Sequence, residues 1–135
     1  MAQSAQFRVA LHCMLHIAQA EEAVTSVELA ESVRTNPVVI RRTLAPLRDA
    51  GLVRAKGGRG GGWLLDRSSR VITLADIYEA LGEDVVATWL GPGSSEGCEV
   101  RAALIHGLAS ARDEANTLIR QSLARQTLHD LGSPR

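Results

Sequence analysis

A chain of 135 residues, 45% hydrophobic and 22% charged, has the makeup of one folded domain with an appendage, not of a disordered segment. Aromatics at 3% leave the core to Leu, Val, Ile and Ala, which favours helices and excludes a strand-dense all-β fold. Net charge is zero, which by itself argues against a nucleic-acid partner, yet residues 1–70 carry ten bases against six acids and residues 71–135 five against nine, so the polarity is local.

In chain order, residues 4–20 carry an apolar stripe of Phe7, Ala10, Leu11, Met14, Leu15 and Ala18, the pattern of an amphipathic helix. His12, Cys13 and His16 sit within it. His at i and i+4 shares a helix face and could hold a metal, but no further ligand lies nearby, and Cys13 reads better as a buried small hydrophobe. No metal site is assigned. Arg8, His12 and His16 interrupt any apolar run, so neither a signal peptide nor a membrane span is expected, and the two well-separated cysteines suit a reducing cytoplasm.

Thr25 with Glu28 forms a capping box that opens a short helix through Val27, Leu29, Ala30 and Val33. Arg34 and Thr35 make the turn to Asn36, an N-cap followed by Pro37 at the first helical position. Val39, Ile40, Leu44 and Leu47 would face the core of this second helix, and Gly51 would end it. Short helix, turn and longer helix have helix-turn-helix spacing, in which the first residues of the second helix read base edges in the major groove. Arg41 and Arg42 fall there, with Thr35, Asn36 and Thr43 as neighbouring base or phosphate contacts.

Residues 52–56 and 63–65 read as two strands around the turn Gly57-Gly58-Arg59-Gly60-Gly61-Gly62. A phosphate-binding loop is the competing reading, and it fails because a strand follows the glycines where a helix is required. A cationic hairpin tip suits a narrow minor groove, which assigns Arg59 there and leaves Arg34, Arg54 and Lys56 to phosphates. Between Arg34 and Arg59 seven bases face a single acid, Asp49. Charged residues on a helix usually form only a solvated face, but a basic helix followed by a basic hairpin is the layout of a winged helix-turn-helix.

Thr73 with Asp76 opens another helix, with Leu74, Ile77, Tyr78 and Leu81 on its apolar face and Gly82 at its end. Residues 85–95, including Trp89 and Gly91-Pro92-Gly93, form an irregular connector. From Glu99 to Arg125 a long helix is expected, on which Val100, Leu104, Leu108, Ala111, Ala115 and Leu118 recur as a heptad-like seam. Such a helix needs a partner, so a homodimer is inferred, with recognition helices spaced about 34 Å apart for a pseudo-palindromic site in double-stranded DNA. Residues 127–131 would cap the bundle, and the tail from Gly132 would fray.

The segments TNPVVIRRTLAPLRDAGLV, RGGGW and ITLADIYEAL resemble the Rrf2 family of bacterial transcription regulators, a likeness running from the first helix to the terminal TLHDL. The resemblance implies a dimeric winged helix-turn-helix with its recognition helix in the major groove and its wing in the minor groove. Several members hold an iron–sulfur cluster through three cysteines ahead of the dimer helix. Here residues 82–101 contain Cys98 alone, matching the last of the three. The alternative fourth ligands, a His three residues further on or an Asp on the first helix, are replaced by Arg101 and Arg8. The likeness is therefore to the cluster-free branch, with no cofactor and with control by a thiol change, a small molecule or a partner protein. Cys98, at the positive start of the long helix and near Arg101, is the sensor candidate, and an inert packed cysteine is the alternative.

The expected fold is mostly α with a small β-hairpin: a winged helix-turn-helix over residues 1–82, a connector over 83–98, and a dimerisation helix with its cap over 99–135. The expected function is a cytoplasmic, non-enzymatic DNA-binding regulator, a repressor acting as a homodimer. Competing readings are an adaptor that keeps the wing fold without operator binding, an iron–sulfur or nitric-oxide sensor with an atypical ligand set, and a thiol enzyme using Cys98, which has no base beside it in sequence and would need a distant His brought close by the fold.

Overall fold

Helix starts fall where local chemistry supplies a partner for the unpaired first N–H groups. In the computed structural model, which describes residues 3–82 and 97–133, α1 spans Gln3–Gln19 and α2 spans Ser26–Val33. The Thr25 hydroxyl accepts from the Glu28 N–H at 3.1 Å, and the Glu28 carboxylate accepts from the Thr25 N–H at 2.7 Å. α3 spans Pro37–Asp49, capped by Asn36, whose side-chain oxygen accepts from the Val39 N–H at 3.1 Å. It continues through Pro46. β1 (Val53–Lys56) and β2 (Gly62–Leu65) pair antiparallel with Val53 opposite Leu65 and Lys56 opposite Gly62. α4 (Leu74–Leu81) begins at the Thr73–Asp76 capping box, and α5 runs Glu99–Ala124.

The chain terminus departs from expectation. α6 (Leu128–Gly132) is a short helix with its own capping box, Thr127 and Asp130. The segment before it is sewn to the domain by backbone bonds: Leu128 N–H to the Ile72 carbonyl at 2.8 Å and Leu74 N–H to the Gln126 carbonyl at 3.0 Å. Leu128 is fully buried beside Ile72 and Met14, so this end is part of the core. The expected connector at residues 85–95, Trp89 within it, and the last two residues of the tail lie outside the described residues.

The core is aliphatic, as the composition requires. α1 contributes Ala10, Cys13, Met14 and Ile17, α3 contributes Ile40, Leu44 and Leu47, and Leu29, Leu52, Ile72 and Ile77 close it. Phe7 meets the buried Tyr78 edge-on with ring centroids 5.5 Å apart. On α2, Leu29 and Ala30 are buried and Val33 packs against the core, while Val27 in the first turn is 53% exposed. α5 is different in kind: none of its 26 residues is buried. It touches the domain along α4, where Arg120 pairs with Glu79 at 3.8 Å. No helix among the described residues is long and apolar enough to cross a membrane.

Candidate nucleic-acid interface

α2 and α3 are held as a unit by matching ends. At the end of α3 the Leu52 N–H reaches the Leu47 carbonyl at 2.9 Å and the Gly51 N–H reaches Arg48 at 2.9 Å, with Gly51 left-handed at φ 76°. The same arrangement closes α2: Thr35 N–H bonds to the Ala30 carbonyl at 2.9 Å, and the left-handed residue is Arg34, at φ 62°. It is the only described non-glycine residue with positive φ. The sharp turn that results sets α3 across α2 with its outer face free.

On α3, Ile40, Leu44 and Leu47 face inward and are fully buried, while Arg41 and Arg42 stand exposed in the first turns. Two expected contacts change. Thr43 is buried at 2% exposure on the inner face, so its hydroxyl cannot reach a duplex. Asn36 is held to the helix cap through its amide oxygen, which competes with a bidentate pairing to adenine that needs both amide atoms. Thr35 is half-buried in the turn.

The hairpin carries the second group of cations. Arg54 and Lys56 are exposed on β1, two residues apart and therefore on one face, and Arg59 stands at the tip. Gly58 and Gly60 flank Arg59 with φ of 77° and 71°. The last two glycines of the turn are fixed by crowding: a Cβ on Gly61 would collide with the Lys56 and Gly58 carbonyls, and one on Gly62 would lie 2.5 Å from the Val24 carbonyl oxygen. That closeness arises because Val24 and Trp63 exchange backbone bonds of 2.8 and 3.1 Å. Trp63 is buried, and its indole N–H donates to the Ser26 hydroxyl at 3.0 Å, so the base of the wing is bolted to the start of α2.

Ion pairing sorts the cations. Arg54 reaches Asp66 at 3.9 Å across the hairpin, and Arg48 reaches Asp49 at 3.5 Å. Among the described residues Arg34, Arg41, Arg42, Lys56 and Arg59 have no carboxylate partner. Exposed pairs are weak, so Arg54 remains available to a phosphate.

Away from this surface, Cys13 lies at the core with its thiol pushed up to about 11 by burial. His12 and His16 are exposed, with their Nε2 atoms 3.1 Å apart across a hydrogen bond. Among the described residues no three His, Cys, Asp or Glu side chains are grouped to hold a metal. Cys98 is exposed as the N-cap of α5, its sulfur accepting from the Arg101 N–H at 3.4 Å. With one exposed thiol, one buried thiol, and neither Cys nor His in residues 83–96, the donor set does not fit a cysteine-held iron cluster. A hollow of about 170 Å³ between α1 and α6, lined by Leu15, Ala18, Leu128 and Gly132, is below the size of small-molecule sites.

Comparison with known proteins bears on this geometry. The family model Rrf2, described as an iron-dependent transcriptional regulator, matches residues 3–134. The HTH-type transcriptional regulator YwnA of Bacillus subtilis is 27% identical over 130 residues, 95% of each chain. The HTH-type transcriptional regulator IscR of Cereibacter sphaeroides is 33% identical over 101 residues, 72% of this chain and 65% of that protein. Among solved structures, a transcriptional regulator from Lactobacillus plantarum superposes with a TM-score of 0.73 at 28% identity, covering 93% of this chain and 86% of the other.

Proposed function

The chain belongs to the Rrf2 family of transcriptional regulators, and from that premise we propose that it represses transcription as a homodimer bound to a pseudo-palindromic DNA site. The observation that carries this is the set of exposed cations on α3, the turn before it and the wing, of which Arg34, Arg41, Arg42, Lys56 and Arg59 have no carboxylate partner among the described residues: Arg41 and Arg42 for the major groove, Arg59 for the minor groove, with Arg34, Lys56 and the weakly paired Arg54 on phosphates. Thr35 and the free amide nitrogen of Asn36 remain as secondary phosphate contacts. A bound dimer would act by occluding the DNA it covers.

Dimerisation is supported by α5. Val100, Leu104, Leu108 and Leu118 are 71, 58, 39 and 66% exposed, and Ala111 and Ala115 lie along the same seam. A helix of 26 residues is about 39 Å long, and an apolar line of that length left in water is the mark of an interface. With two such helices paired, each wing domain presents its α3 to one half-site.

The region of Cys98 is the second part of the proposal. An exposed sulfur that caps the helix carrying the seam is placed so that its oxidation or alkylation would disturb the first turn of α5. Effector control is assigned to this thiol in preference to a cluster, since the donor set does not fit one.

Binding of a duplex from upstream of the protein's own gene, followed by anisotropy at stated salt concentrations, tests the proposal. Arg59→Ala should weaken binding and lower the salt slope by about one phosphate-equivalent if it lies on the backbone. Absence of any binding by the wild type above that of a random duplex would favour the adaptor reading.

A further inference from the structure

The outer face of α3 is not purely cationic. Spacings of three, four and seven residues place Val38, Arg41, Arg42 and Ala45 together, opposite Ile40, Leu44 and Leu47. Val38 is 56% exposed and is absent from the core cluster and from the side chains packed on it. A single exposed valine is ordinary on a protein surface. This one, however, stands in the first turn of the helix that carries the unpartnered arginines. Of its neighbours at that tip, Asn36 has its oxygen on the Val39 N–H and only its amide nitrogen left, and Pro37 has no N–H to offer. The tip of the helix therefore presents an apolar surface where a base edge would be met.

Resting on the DNA-binding reading above, we infer that Val38 is a specificity-determining residue that packs on the C5-methyl group of a thymine in each half-site. The major groove offers one apolar group among its base-edge patterns, and it is that methyl. A β-branched side chain is stiff at χ1 in a helix, so it loses little freedom on making the contact. Arg41 and Arg42, one turn further along the same face, have the reach and donors to pair with guanine O6 and N7. The recognised half-site thus contains a thymine within a few base pairs of guanine.

Selection from a random duplex library with the intact wild-type protein identifies the bound sequence, and each thymine in it is then replaced by uracil, which lacks only the methyl. One thymine per half-site should lose about fourfold on replacement, equivalent to burial of one methyl at roughly 0.8 kcal/mol. Val38→Ser should bind the thymine and uracil duplexes equally while keeping the wild-type salt slope, and Val38→Ile should keep the preference. Because the side chain is exposed, these variants should unfold at the wild-type midpoint. Equal binding of every uracil duplex by the wild type, or an unchanged thymine preference in Val38→Ser, would overturn the assignment with DNA binding intact. Failure of selection to enrich any sequence would overturn the operator reading itself, and this assignment with it.

Discussion

Arg34 occupies the left-handed position that closes α2, where the equivalent place on α3 holds Gly51. A side chain there costs roughly 1 kcal/mol or more of backbone strain. An arginine at that position is explained if its guanidinium is used, and in the proposed complex the turn between α2 and α3 would face the phosphates that flank the recognised groove. Arg34→Gly is therefore expected to raise stability by roughly 1 kcal/mol in urea unfolding and at the same time to weaken DNA binding. A variant that is stabilised and binds as well as wild type would remove Arg34 from the contact set.

The two cysteines separate just as cleanly. Burial holds the Cys13 thiol near 11, so at pH 8 it is almost entirely protonated and sealed in the core, whereas Cys98 is exposed. Brief alkylation of the native protein at pH 8 should add one label, at Cys98, and a second only in denaturant. Two labels in the native state would show that α1 is not packed as described. Val38 and Thr43 show what residue identity alone does not reveal. Thr43 has the chemistry of a contact but lies on the inner face of α3, Val38 lies on the outer face, and position around the helix decides both.

At the scale of elements, the wing owes its placement to contacts at its base. Gly62 lies against the Val24 carbonyl, and Trp63 is tied to Ser26. Gly62→Ala would force a methyl to within 2.5 Å of that carbonyl oxygen and add strain at φ 148°. A loss of roughly 1–3 kcal/mol in thermal or urea unfolding is expected, larger than for Gly57→Ala, whose added methyl meets nothing within 4 Å. Equal effects at the two glycines would contradict the anchoring of the wing.

The capping boxes at Thr25 and Thr73, the cap at Asn36 and the stop at Gly51 were legible in the sequence because a cap is satisfied within three or four residues. So was the hairpin, within a residue at each strand. α6 was not, although its Thr127–Asp130 box repeats the Thr73–Asp76 pattern. Five residues carry too little periodicity to announce a helix, and the burial of Leu128 comes from strand-like bonds to a segment more than fifty residues earlier. The clustering of arginines was legible in the sequence, but that Arg54 would lie within reach of Asp66 depended on the pairing of the hairpin strands.

For the whole molecule, the charge division and α5 argue together. The basic half supplies α1 to α3 and the wing, and the acidic half, beside α4 and α6 that complete their core, supplies a helix with no buried residue and a line of exposed leucines. Substituting Leu104 and Leu118 together with Glu places charges on that seam without touching the wing domain core. The variant should sediment as a monomer and bind a single half-site only weakly, since two linked half-site contacts gain greatly from effective concentration. A variant that remains dimeric would relocate the interface away from α5.

The central claim is that α3 and the wing read DNA. It is tested most directly by anisotropy of the intact wild-type protein on its own upstream duplex and on a scrambled duplex of equal length, at near-physiological salt. Specific binding at least about a thousandfold tighter than to the scrambled duplex, reduced by Arg41→Ala and Arg42→Ala, is the predicted result. Equal affinity for both duplexes, unaffected by those substitutions, would contradict it.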